Sequence, residues 1–353
     1  MTASKEPTVK NSMRVAFFQF FPPTIWTPGG GETQLAKTKE AMEQMGVEIE
    51  LFDPWSRKRD YDIMHVFGST YQLSDFVVTA KRLGLPVVVS PIIYTNKPGW
   101  KWRVWRQVDH FLPVPTVYTY RKRIYEVADV LLPGSEAEAN QLAQNFAVPL
   151  SKMVVTHNAA DGRLAEADPK PFKDHYGLEG VILMVGRISN HKGQIRLIHA
   201  LDGQGLELVF IGQMDPDDPG YFAMFQAECE RRSWVHYLGP LPAGSDLLAS
   251  AYAAAKVHAL PSLGECPGLV SLEAGLAGCN VVAGCGAPVR EHLGEEAFYC
   301  DPTSIGSIRA TVLKAYASPR TGKLRARLLK DFTWEAVARK IHAVYEEVLG
   351  CGQ

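Results

Sequence analysis

No stretch of about 18 apolar residues occurs anywhere in the 353-residue sequence, which excludes a helix that crosses a bilayer. The segment ahead of Met13 carries Lys5, Glu6 and Lys10 and lacks the apolar centre of a signal peptide, so a protein that is neither exported nor membrane-spanning is expected. Net charge is nearly absent too. At -1, with no long Lys/Arg run, the chain offers no field for tracking a phosphate backbone, and nucleic acid is not an expected partner. Cysteine is missing from the first 228 residues. The six present (Cys229, Cys266, Cys279, Cys285, Cys300, Cys351) have no C-x-x-C spacing, so neither a zinc site nor a disulfide framework is expected and a reducing cytoplasm fits.

What is there is the balance of a globular protein, 46% hydrophobic and 21% charged, in a chain longer than one domain usually runs. Short apolar runs alternate with helical patterns, which predicts parallel sheets covered by crossover helices, an α/β fold in two lobes. The first series of strands is Arg14 to Phe21, Glu48 to Phe52, Ile63 to Phe67, Pro86 to Ser90, Val130 to Pro133 and Val154 to Thr156, with a helix such as Glu32 to Met45 between. The second is Val181 to Val185, Leu206 to Ile211, Val235 to Leu238, Val257 to Leu260, Asn280 to Ala283 and Ala297 to Cys300. Between them, Ala160 to Lys173 loses the apolar period and reads as a linker. The lobes are therefore placed at 1–165 and 166–332. A last helix is N-capped by Thr333, with Val337, Ile341, Val344 and Val348 on one face, and this 333–353 segment is expected to pack back on the first lobe.

Three motifs stand at strand ends. After the first strand, Thr27-Pro28-Gly29-Gly30-Gly31-Glu32 joins strand to helix, where free amides suit a phosphate; a flexible turn without a ligand reads equally well. A G-x-G-x-x-G fingerprint is absent, which removes the main support for a nicotinamide dehydrogenase. After Val181 to Val185 comes Gly186-Arg187-Ile188-Ser189-Asn190-His191-Lys192-Gly193, whose Arg187 and Lys192 can neutralise a leaving diphosphate. The plainer alternative is a solvated basic turn. In Pro261-Ser262-Leu263-Gly264-Glu265-Cys266-Pro267-Gly268-Leu269-Val270-Ser271-Leu272-Glu273, two carboxylates lie eight residues apart. Gly268 to Val270 marks a helix start with amides for phosphate, and Glu273, set in an apolar helix, needs a partner such as a ribose hydroxyl.

The E-x7-E pattern of Glu265 and Glu273, with Gly186-Arg187 and Lys192-Gly193 upstream and Gly29-Gly30-x-Glu32 near the start, resembles the retaining glycosyltransferases of family 4, or group 1. That resemblance implies a GT-B fold of two Rossmann-like lobes with a donor cleft between them. It implies that Arg187 and Lys192 bind the donor diphosphate, that Leu269, Val270 and Glu273 hold phosphate and ribose, and that Glu265 contacts the donor sugar. Gly29, Gly30 and Gly268 complete the donor contacts, and Glu265, Arg187 and Lys192 carry the reaction. The chain departs from the family at Cys266 and Pro267, where a Gly and an aromatic residue are common, and in Val87 to Tyr94, which lacks the family's frequent histidine. His65 stands where a strand-end histidine occurs in the family, although a lone histidine there is more often structural; Glu291 is at best loop-positioning.

The reaction expected is transfer from a nucleotide-sugar donor to a glycan or lipid-linked acceptor, by front-face substitution with retention, in polysaccharide or glycoconjugate synthesis. No metal and no cofactor is expected, and Asp215-Pro216-Asp217-Asp218 reads as an exposed loop rather than a metal motif. A nucleotide-sugar epimerase or hydrolase, or a sugar-nucleotide-binding protein without turnover, is the alternative. Asn96 to Arg106 interleaves Trp100, Trp102 and Trp105 with Lys97, Lys101, Arg103 and Arg106. It reads either as a peripheral contact with the inner face of the membrane or a lipid-linked acceptor, or as tryptophans packed on the lobe with cations reaching outward.

Overall fold

A computed structural model describes residues 13–20, 29–95, 99–112, 115–265 and 268–350. The chain forms two compact units, one of residues 1–156 and 337–353 and one of 157–336.

The first unit is built on a five-stranded parallel sheet of β1 (Arg14–Gln19), β2 (Glu48–Leu51), β3 (Ile63–Phe67), β4 (Val87–Ser90) and β5 (Val130–Leu131). Their order is β2-β1-β3-β4-β5, with Val15 opposite Ile63 and His65 opposite Val88. β3 and β4 are buried at every position, as continuous apolar runs covered on both faces must be. Ala16, Val66 and Val89 pack with Leu131, Leu142 and Phe146. The run Val154 to Thr156 is not a strand of this sheet. It follows β5 only through a bridge from Met153 to Leu131 and single bonds from Val154 N to Leu131 O and Thr156 N to Pro133 O.

Within this unit His65 is fully buried on β3, stacked on Phe67, with Nδ1 2.6 Å from the Tyr345 hydroxyl and Nε2 2.9 Å from Ser90 Oγ. Tyr345 belongs to the helix Trp334–Val348, so the imidazole ties that C-terminal helix to the sheet. Burial lowers the His65 pKa to about 3.

The second unit carries a six-stranded parallel sheet of β6 (Ile182–Val185), β7 (Leu208–Ile211), β8 (Val235–Tyr237), β9 (Val257–Leu260), β10 (Asn280–Gly284) and β11 (Phe298–Cys300), in the order β11-β10-β9-β6-β7-β8. One face packs Leu183, Val209 and Val281 under Tyr252, Leu272 and Leu276; the other packs Ile182, Phe210 and Ala259 under Leu197, Phe225 and Ile308. Starting from β6 the chain winds outward through β7 and β8, then returns to β9 on the other side of β6. The order therefore reverses between β6 and β9, where open α/β sheets gather ligands at the carboxyl ends of their strands.

The boundary differs from the sequence expectation. Residues 157–165 cluster with the second unit rather than the first. The stretch Ala160 to Lys173, read as a linker, is structured: a 3-10 turn at Gly162–Glu166 leads to the helix Lys170–Tyr176. The few apolar residues in this polar segment explain it, because Phe172 is fully buried with its amide bonded to Ser250 Oγ at 2.9 Å, and Ala160 N bonds Phe332 O.

A neutral histidine held at a depressed pKa contributes stability that is complete above the unfolded value of about 6.5 and is lost as pH falls below it. We expect the cost at His65 to reach about 2 kcal/mol at pH 5. Urea unfolding at pH 7 and pH 5 should show a fall in stability that becomes shallower in His65→Gln. An equal slope in the variant would count against the assignment.

Candidate functional site

The loops after β6, β7 and β9 are neighbours because their strands are. Gly212 follows β7 directly at φ +157, and a Cβ there would lie 1.9 Å from Gly186 O, so the two loops meet backbone to backbone. Gly193, at φ +88, closes the loop after β6, and its Cβ would come within 2.8 Å of Pro261 O in the loop after β9. That closeness is fastened by three bonds: His191 Nε2 donates to Gly264 O (2.6 Å), Leu263 N to His191 O (2.9 Å) and Ser262 Oγ to His191 O (3.2 Å).

Lys192 and Glu265 are brought together by this fastening. Lys192 Nζ lies 2.5 Å from Glu265 Oε1, with the side chains 23% and 14% exposed, so the pair is shielded enough to count electrostatically. Arg187 sits on the same loop, with Nη1 3.7 Å from Asp215 Oδ1. Its carbonyl accepts from the buried Gln194 Nε2 (2.8 Å), which holds the backbone while leaving the guanidinium partly exposed. Asp215 is placed by a short bridge between Ile188 and Met214.

Gly268 is the N-cap of the helix Leu269–Ala277, whose first turn offers the amides of Leu269 and Val270. A Cβ on Gly268 would sit 3.5 Å from the carboxyl carbon of Glu265, so that carboxylate borders the helix terminus. Glu273, one turn in, accepts from the Tyr252 hydroxyl at 2.7 Å. Tyr252 is fully buried, and burial first, then the Glu273 carboxylate, pushes its phenol well above the usual range, so it is a fixed donor. Beneath lies His258 of β9, fully buried, with no hydrogen-bond partner on either ring nitrogen. Burial, and secondarily Lys192, brings its pKa down to about 3.

Arg187, Lys192, Glu265, Gly268, Leu269, Val270 and Glu273 are thus all at one end of the second sheet. Cys266 and Pro267 lie outside the described residues. Sequence reasoning did not find the Tyr252 partner of Glu273, the Asp215 contact with Arg187, or His258. Asp215 belongs to the acidic run read as a loop, and in the same run Asp218 caps the helix Pro219–Glu230 through Tyr221 N. Among the described residues no three of His, Cys, Asp and Glu come together as metal ligands.

In the first unit Gly29 caps the helix Gly30–Gln44. Its amide donates to Glu32 Oε2 at 2.8 Å, and Gln19 Nε2 donates to the other oxygen at 2.9 Å, so part of this terminus is satisfied by the chain's own carboxylate. Thr27, Pro28 and Lys97 lie outside the described residues. The helix Trp100–Phe111 divides its tryptophans: Trp102 packs against Phe146 with ring centres 5.3 Å apart, whereas Trp100 and Trp105 are 55% and 46% exposed. Lys101 and Arg103 are exposed, and Arg106 reaches Gln144 O at 3.3 Å. Glu291 bonds His157 Nε2 at 2.8 Å. Among the described residues no helix is long and apolar enough to cross a membrane.

A family model described as glycosyl transferases group 1 matches residues 169–331. The chain is similar to an MMP alpha-(1->4)-mannosyltransferase of Mycolicibacterium hassiacum, at 23% identity over 92% of this chain and 78% of that protein. It is also similar to a D-inositol 3-phosphate glycosyltransferase of Corynebacterium efficiens, at 25% identity over 95% of each. Among solved structures it resembles Anabaena HepE in complex with UDP and glucose (TM-score 0.70, 17% identity, 94% of this chain and 99% of that one). The sucrose-phosphate synthase of Thermosynechococcus elongatus gives a TM-score of 0.74 at 18% identity, over 96% and 100% of the two chains. The α/β fold with two parallel sheets is that of GT-B glycosyltransferases. Together the comparisons bear out the expectation of a glycosyltransferase, with the group 1 match confined to residues 169–331.

The backbone approach at Gly212 admits no side chain. Gly212→Ala should destabilise the protein by about 3 kcal/mol or more in urea unfolding. A change below about 0.5 kcal/mol, the usual scatter of a surface substitution, would contradict the packing described.

Proposed function

We propose that the chain moves a sugar from a nucleoside-diphosphate donor to a glycan or lipid-linked acceptor with retention of configuration and without a metal ion, in the manner of family 4. The observation that carries this reading is the convergence of Lys192, Arg187 and the Leu269–Ala277 helix terminus on one end of the second sheet, at its reversal of strand order. Two cations and free helix amides suit the charge of a diphosphate and are worth most where that charge develops, on the leaving group. Glu273, held by Tyr252, presents its carboxylate one turn from those amides, where a ribose would lie when its phosphate occupies them. The HepE complexes with UDP and UDP-glucose support a donor of this chemical class.

In the step proposed, the bond from the anomeric carbon to the diphosphate oxygen breaks as the acceptor oxygen bonds that carbon from the same face. The acceptor proton passes to the departing diphosphate oxygen. Lys192, Arg187 and the amides of Leu269 and Val270 hold that oxygen's charge, so a divalent ion has no task left to do. Glu265 meets the sugar hydroxyls.

For the first unit we propose an acceptor-side role in the cytoplasm, with Trp100 and Trp105 at the inner face of a membrane. Their exposure beside Lys101 and Arg103 supports this, while Trp102 has the packing role.

Thermal shift against UDP-, GDP-, ADP- and dTDP-sugars should single out one donor. Lys192→Ala and Arg187→Ala should each lower transfer from it by about a hundredfold. Unchanged turnover in both variants would refute the site. Co-sedimentation with phosphatidylglycerol vesicles should be lost in Trp100→Ser/Trp105→Ser; absence of binding by the parent protein would remove the membrane role.

A further inference from the structure

The proposed diphosphate pocket already contains an anion of the chain's own. Glu265 Oε1 is 2.5 Å from Lys192 Nζ, and the same carboxyl group lies 3.5 Å from the position of a Cβ on Gly268, the cap of the Leu269–Ala277 helix. One carboxylate therefore occupies the ammonium and borders the helix terminus, two of the three features assigned to phosphate above. The third, Arg187, has the looser carboxylate of Asp215 at 3.7 Å.

We infer that Glu265 is an internal counter-ion, displaced from Lys192 by the donor, and that this exchange makes the site prefer a sugar-bearing diphosphate to a bare one. The inference rests on the diphosphate reading of Lys192. A phosphate that takes the ammonium leaves the Glu265 carboxylate, only 14% exposed, without its cation and beside a second anion. An ionised group in that position is costly unless hydrogen-bonded. Sugar hydroxyls supply those bonds, and a nucleoside diphosphate without sugar does not. The backbone bonds that fasten His191 to Ser262, Leu263 and Gly264 keep the two loops at a fixed spacing, so the exchange is a swing of side chains. After transfer the hydroxyls leave with the product, Glu265 again lacks a partner, and its return to Lys192 favours release of the spent diphosphate.

Titration calorimetry tests this with the free nucleoside diphosphate (UDP, GDP, ADP or dTDP) whose sugar conjugate gives the largest thermal shift, and with that conjugate. Glu265→Gln should bind the free diphosphate about three- to tenfold more tightly than the parent, the worth of a partly shielded ion pair, while binding the conjugate no more tightly and transferring sugar more slowly. Glu265→Ala should shift the free diphosphate in the same direction. Equal or weaker binding of free diphosphate by both variants overturns the inference. Lys192→Ala separates the two levels. If it weakens binding while the Glu265 variants gain nothing, only the counter-ion role fails; if it leaves binding unchanged, the diphosphate site fails with it.

Discussion

Two cations, Lys192 and Arg187, stand at one end of a parallel sheet, and each is met there by a carboxylate of the chain's own. Lys192 is answered by Glu265 and Arg187 by Asp215. The same field reaches the strand below, where Lys192 adds to burial in keeping His258 neutral. Under the proposed function an anion of higher charge takes the place of the Glu265 carboxylate on Lys192, and a diphosphate is such an anion. The fold supplies the spacing. β6 lies between β7 and β9, so three loops that are far apart in sequence become neighbours, and Gly193 and Gly212 remove the side chains that would hold them apart.

The helix Leu269–Ala277 joins this arrangement with its N-terminus, and its apolar composition explains the role of Glu273. Leu272, Ala274 and Leu276 are buried, which leaves a carboxylate beside the core that Tyr252 partly satisfies. A hydroxyl donor fixed by burial orients the carboxylate without neutralising it, which suits the ribose contact proposed for it. The first unit uses burial differently. His65 spends both ring nitrogens on Ser90 and Tyr345, so it fastens a helix and has no nitrogen left for a substrate.

Much of this was legible in the sequence because parallel strands leave continuous apolar runs. Ile63 to Phe67 and Val257 to Leu260 coincide with the observed strands, and Glu265 and Glu273 fall on the loop and helix their spacing implied. The motif positions were readable because strand ends fix them. Pairings across the fold were not. Nothing near Lys192 announces that Glu265, 73 positions on, would hold its ammonium, and Asp215 looked like one more acidic loop residue. Ala160 to Lys173 misled for another reason: a segment rich in Asp, Pro and Lys gives no apolar period, yet one phenylalanine, Phe172, is enough to anchor it. Val154 to Thr156 has strand-like composition but finds only the continuation of β5 to pair with.

Lys192, Arg187 and the amides at Leu269 and Val270 are proposed as a diphosphate site from which Glu265 withdraws. A crystal structure with an intact sugar nucleotide tests it most directly. Phosphate oxygens are expected within hydrogen-bonding distance of Lys192 Nζ and the helix amides, with the Glu265 carboxylate turned from the ammonium to the sugar hydroxyls. A diphosphate bound elsewhere, or one bound there with the Lys192–Glu265 contact still closed, would contradict it.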